Sequence, residues 1–89
     1  MPRISAFYGI SIWMYYDEGQ HSGRLHLHAR YGESEASIDI ETLGVMSGEL
    51  PGRALRMVRE WAARHRVALK WNWRLARAKQ PLASIEPLK

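Results

Sequence analysis

The spacing of apolar residues changes once along the chain, at Pro51, and that change limits the fold more than any other feature. Before it, apolar and polar residues alternate in short runs, the period of strands with one buried face. After it, apolar residues recur every three to four positions over 51–79, with Gly52 the only glycine and no further proline, as on an amphipathic helix. Strands followed by a helix predict an α+β fold: a small antiparallel sheet of three to four strands packed against a long C-terminal helix, in the order β-β-β-(β)-α. With 89 residues there is room for a single domain, divided into sheet (1–50), helix (51–79) and docked tail (80–89). A hydrophobic share of 46% beside 25% charged residues favours a packed core over disorder.

Three runs read as strands. Tyr8 to Tyr16 places Tyr8, Ile10, Ile12, Met14 and Tyr16 on one side, with Ser11, Trp13 and Tyr15 on the other. A polar loop follows over 17–23, with two glycines. Arg24 to Tyr31 then puts Leu25, Leu27, Ala29 and Tyr31 against Arg24, His26, His28 and Arg30. Gly32-Glu33 fits a two-residue type II′ hairpin turn, which fixes the register with Ser34 to Glu41. Tyr31 opposes Ser34, Arg30 meets Glu35, His28 meets Ser37, His26 meets Asp39, and Arg24 meets Glu41. Outward pairs of this kind contribute about 0.2–1 kcal/mol each. Leu43 to Leu50, with Gly44 and Gly48, reads as a short edge strand or an irregular link.

Pro51 suits the first turn of a helix. Leu55, Val58, Trp61, Ala62, His65, Leu69, Trp73 and Ala76 fall in one arc at 100° per residue and predict the packed side. Arg56, Arg59, Arg66, Lys70, Arg74 and Arg77 gather on another. Trp71 lies outside the apolar arc, near Arg53 and Arg64 on the wheel. Twenty-nine residues is long for a helix in so small a chain, which admits a bend or break near Arg66-Val67. Charge follows the same division: 1–50 carries three basic and seven acidic groups, a net of −4, and 51–89 carries ten basic and two acidic, a net of +8. A basic stripe of this kind can follow phosphates or meet an acidic partner.

With no cysteine, disulfides, thiolate metal sites and cysteine nucleophiles are excluded, and a reducing compartment fits. No apolar run approaches the roughly 20 residues of a membrane helix, and Met1-Pro2-Arg3-Ile4-Ser5 has no signal-peptide pattern. A cytoplasmic protein without membrane contact is expected. No phosphate-binding glycine loop, serine elbow or helical zinc-protease motif is present, and nothing calls for a cofactor.

His26-Leu27-His28 puts two imidazoles on one strand face. The plain reading is a pair of outward polar residues facing Ser37 and Asp39. The chemical readings are acid–base RNA cleavage, with Arg24 or Arg30 stabilising a phosphorane, and a metal site drawing on His21, Asp39 or His65. The catalytic candidates are therefore His26, His28, Arg24 and Arg30, and no metal is assigned. For nucleic-acid or partner binding the candidates are Arg56, Arg59, Arg66, Lys70, Trp71, Arg74 and Arg77. His65, Trp61 and Trp73 are expected in the core, Trp71 on the surface, and Trp13 and Tyr15 are weaker surface candidates.

Several segments together resemble a family of short bacterial proteins, domain of unknown function 4160. The matching pieces are Pro2 to Ile10, His26-Leu27-His28-Ala29-Arg30-Tyr31-Gly32-Glu33, Leu50 to Leu55, Val58 to Ala62, His65, Asn72-Trp73 and Ile85 to Leu88. Family members commonly read Pro-Pro-His-x-His at the centre, where this chain has Ser22-Gly23-Arg24-Leu25 before His26. The resemblance implies a toxin-like component of a two-gene module, beside a small antitoxin-like partner, with RNA as one target. The alternatives are a non-enzymatic module that binds RNA, DNA or protein through the basic helix, and a structural homodimer joined through its helix or an edge strand.

Overall fold

The computed structural model describes residues 3–14 and 25–89. In chain order it contains β1 (Arg3–Phe7), β2 (Ile10–Trp13), β3 (His26–Tyr31), β4 (Ser34–Asp39), β5 (Val45–Gly48), α1 (Gly52–Arg64) and α2 (Arg66–Arg77). The strands form one antiparallel meander, β1-β2-β3-β4-β5. The fold is α+β, with five strands where three to four were expected and two helices where one long helix was expected.

The β3–β4 hairpin matches its sequence reading pair by pair, from Tyr31↔Ser34 through Arg30↔Glu35 and His28↔Ser37 to His26↔Asp39. Gly32 takes φ 60° while Glu33 does not turn left-handed, as a type II′ turn requires. The Arg24–Glu41 pairing, Tyr15, Tyr16 and the loop 17–23 lie outside the described residues. The N-terminal run differs from its reading. Tyr8 and Gly9 take φ 49° and 80° and form the turn of a β1–β2 hairpin, so one expected strand becomes two. Ile10, Ile12 and Met14 are buried as their alternation predicts, and Ile4 and Phe7 of β1 join them.

Among the described residues the register shifts at two places, in β1 between Arg3 and Ser5 and in β5. Near Met46 the β4–β5 register slips, since Ser37 pairs with Ser47 but Ile38 with Val45. Gly48, at φ 73°, closes this strand so tightly that a Cβ there would lie 2.2 Å from the Glu35 carbonyl oxygen. Only glycine fits.

A straight helix over 51–79 would span roughly 43 Å at 1.5 Å per residue, yet the longest extent of the molecule is 33 Å. The helix therefore breaks, at His65 (φ −123°, ψ 26°), one residue from the expected point. The break lets both halves keep their apolar sides on one small core. Ala54, Val58, Trp61 and Ala62 of α1 and Leu69, Trp73 and Ala76 of α2 are buried with Ile12, Leu27, Ile38 and Ile40. Burying each large aliphatic side chain stabilises the fold by about 1.5–3 kcal/mol. The Trp61 ring packs 5.5 Å from Phe7, and its Nε1 donates to the Glu86 carbonyl at 2.7 Å. The tail lies along the sheet margin, where the Ile85 N–H donates to the Ile4 carbonyl of β1 at 2.8 Å.

Candidate functional site

Alternation on β3 carries His26 and His28 to the same strand face, and the two rings lie 5.4 Å apart. Their surroundings differ. His26 is 5% exposed, with its ring 5.1 Å from Trp73 of α2. His28 lies in a shallow depression with Glu35, Ser37, Ser47 and Gly48. Its Nδ1 is 3.3 Å from the Ser37 hydroxyl and 3.7 Å from a Glu35 carboxylate oxygen. Arg30 is directed at its strand neighbours: Nε donates to Glu35 at 3.1 Å, and the guanidinium sits 5.6 Å from the Trp13 ring. Arg24 lies outside the described residues.

Asp39, across from His26, has a role that strand pairing did not suggest. It is 3% exposed, and its Oδ1 accepts from the backbone N–H groups of Glu41 (2.7 Å) and Thr42 (3.0 Å), closing the turn after β4. The signal was available in Asp39-Ile40-Glu41-Thr42, since aspartate commonly accepts from the backbone two residues on. Among the described residues no group of three or more His, Asp or Glu is placed to hold a metal ion. His65 packs 5.5 Å from Trp61 but is half-buried at the helix break, although it was expected in the core.

The cationic arc of the helices divides in two. Arg59 donates from Nε to the Leu43 carbonyl at 2.9 Å. Arg66 donates from Nε to Ile40 and from Nη2 to Glu41, both carbonyls at 3.3 Å. Lys70 pairs with the Glu41 carboxylate at 2.9 Å. These three side chains, expected on a free arc, also hold the helices to the segment after β4. Arg56, Arg74 and Arg77 stand exposed.

Trp71 is exposed, as its wheel position predicts, at 57%. Beside it Val67 is 85% exposed, and the two line a groove at the helix break with Arg64, Arg66 and Ala68. Sequence reasoning did not single out Val67. Its signal was a large aliphatic residue placed beside the arginines of the wheel, far from the apolar arc.

No helix among the described residues is long and apolar enough to cross a membrane. Comparison with curated proteins and with solved structures gives no match. A family model, Domain of unknown function (DUF4160), matches residues 9–74, from the β1–β2 turn into α2, and takes in both histidines of β3, the helix break and Trp71. By that match, which covers most of its length, the chain belongs to the DUF4160 family.

Proposed function

We propose that this chain is a binding module for single-stranded nucleic acid, acting through the outer side of α1 and α2. The observation that carries this reading is Trp71, an indole held 57% exposed on α2, whose outer side also presents Arg74 and Arg77, with Arg56 exposed on α1. An exposed aromatic among cations gives a base a face to stack on and the backbone charges to follow. The toxin-like role that the family resemblance implies would then be exercised by sequestering a strand, and an acidic antitoxin-like partner would compete for the same arginines.

RNA cleavage by His26 and His28 is a weaker proposal on this geometry. Acid–base cleavage requires both imidazoles within reach of the substrate, and His26 is packed beneath Trp73.

The test is binding of a labelled single-stranded oligonucleotide across a range of salt. Engagement of three to four cations gives a log–log slope of about −2 to −3. Trp71→Ala weakens binding by roughly five- to a hundredfold, the loss of one stacked base. A flat salt dependence, or unchanged affinity in the Trp71 variant, would overturn the reading.

A further inference from the structure

We propose that the pocket between the β1–β2 turn and the start of α1 seats one base of a bound nucleotide, with Arg53 taking its phosphate. The inference deepens the single-strand reading, at a place remote in sequence from Trp71. The pocket, of about 250 Å³, is lined by Tyr8, Tyr31, Pro51, Arg53, Ala54 and Met57.

Tyr8 is the unusual residue. It occupies the first central position of a two-residue turn at φ 49°, where asparagine, aspartate or glycine is the unstrained choice. A bulky residue at positive φ is an outlier, and such outliers cluster at functional sites. The ring gains little packing in exchange, since Tyr8 is 59% exposed. Backbone strain and an exposed aromatic surface are both retained at the tip of one hairpin. Across the pocket Tyr31 is 40% exposed, and its ring lies against Gly9, 3.4 Å from where a Cβ would stand. At φ 80° position 9 suits glycine, and the second ring rests against it.

The lining selects the ligand class. Two tyrosines, a proline ring and the Met57 thioether favour a flat, polarisable group. Its volume falls below the roughly 300 Å³ at which drug-sized sites begin, which suits a single ring system. Among the described residues Arg53 is the one charged residue of the lining, and no carboxylate joins it. That excludes the logic of an aromatic cage for cations and favours an anion attached to the ring. A nucleotide has both parts.

The experiment uses the full chain and follows amide and Met57 methyl resonances on addition of a nucleoside monophosphate, the matching nucleoside, inorganic phosphate or phosphotyrosine. The nucleotide is expected to shift Tyr8, Tyr31, Arg53 and Met57. Tyr8→Asn, which creates the preferred turn sequence, weakens binding tenfold or more while leaving the melting temperature equal or higher. Arg53→Gln reduces nucleotide binding towards the level of the nucleoside. Shifts produced equally by phosphate alone, by phosphotyrosine in preference to the nucleotide, or unchanged binding by Tyr8→Asn would each overturn the proposal. Because the readout is a mononucleotide at named resonances, it stands or fails separately from the oligonucleotide test on Trp71.

Discussion

Asn72 lies within the apolar stripe of α2 at 1% exposure, and its side-chain amide is matched to the backbone of a single tail residue, Ala83. Nδ2 donates to the Ala83 carbonyl at 2.8 Å, and Oδ1 accepts from the Ala83 N–H at 2.9 Å. A buried amide left without these bonds would cost more than the bonds return, so helix and tail specify each other. Asn72→Ala is expected to lower unfolding free energy by about 1–3 kcal/mol, measured by chemical denaturation. Hydrogen exchange locates the loss. The Ile85 amide, which donates to β1, exchanges faster in the variant, while the Leu27 and Ile38 amides of the central strands change only with global stability. Equal protection of Ile85 in both proteins would mean that other contacts hold the tail, such as the Trp61–Glu86 bond.

At the scale of elements, α2 ends in a Schellman motif without glycine. The Gln80 N–H donates to the Leu75 carbonyl at 2.8 Å, the Lys79 N–H donates to Ala76 at 3.1 Å, and Lys79 takes φ 57°. Lysine in the left-handed region costs about 1 kcal/mol that glycine does not. Lys79→Gly therefore raises stability by roughly 0.5–1 kcal/mol, seen as a higher denaturation midpoint, and an unchanged or lower midpoint contradicts the assignment. The same conflict between residue and conformation explains which elements the sequence discloses. The β3–β4 hairpin is legible because Gly32, the alternating faces and the facing charges Arg30 and Glu35 agree on one register. Tyr8 breaks the turn rule, so the alternation from Tyr8 onward reads as strand and conceals the β1–β2 hairpin. The break at His65 has neither proline nor glycine to announce it. It was legible only from the length of the helical run against the size of the chain, which puts it one residue from where the structure has it. The site shows the same limit: the wheel finds Trp71, whereas Tyr31 and Arg53 meet only through packing of the hairpin turns on α1. Both sheet margins are managed too, β1 by the Ile85 bond and β5 by its short length and bulge.

For the whole molecule, the acidic and basic halves of the sequence meet in space at one seam. The segment after β4 supplies the Ile40, Glu41 and Leu43 carbonyls and the Glu41 carboxylate, and the helices supply Arg66, Arg59 and Lys70. Part of the charge segregation visible along the chain is thus spent on holding the helices in place, and the outward field is weaker than a count of arginines implies. The Lys70–Glu41 pair controls how much weaker. Its side chains are 45% and 56% exposed, so solvent screens the pair and its share of stability is about 0–1 kcal/mol. Glu41→Gln leaves the carbonyl partner of Arg66 untouched and releases Lys70 from its counter-charge. The variant should melt within a degree or two of the parent, because only a screened surface pair is lost. Under the single-strand reading its oligonucleotide affinity rises several-fold at low salt, and the log–log salt slope steepens by about 0.7, the increment for one additional phosphate contact. Stability and binding are then separable in one substitution. A variant that is equally stable and binds no more tightly would place Lys70 outside the path of the strand, and would narrow the interface to Trp71 and the arginines beyond the seam.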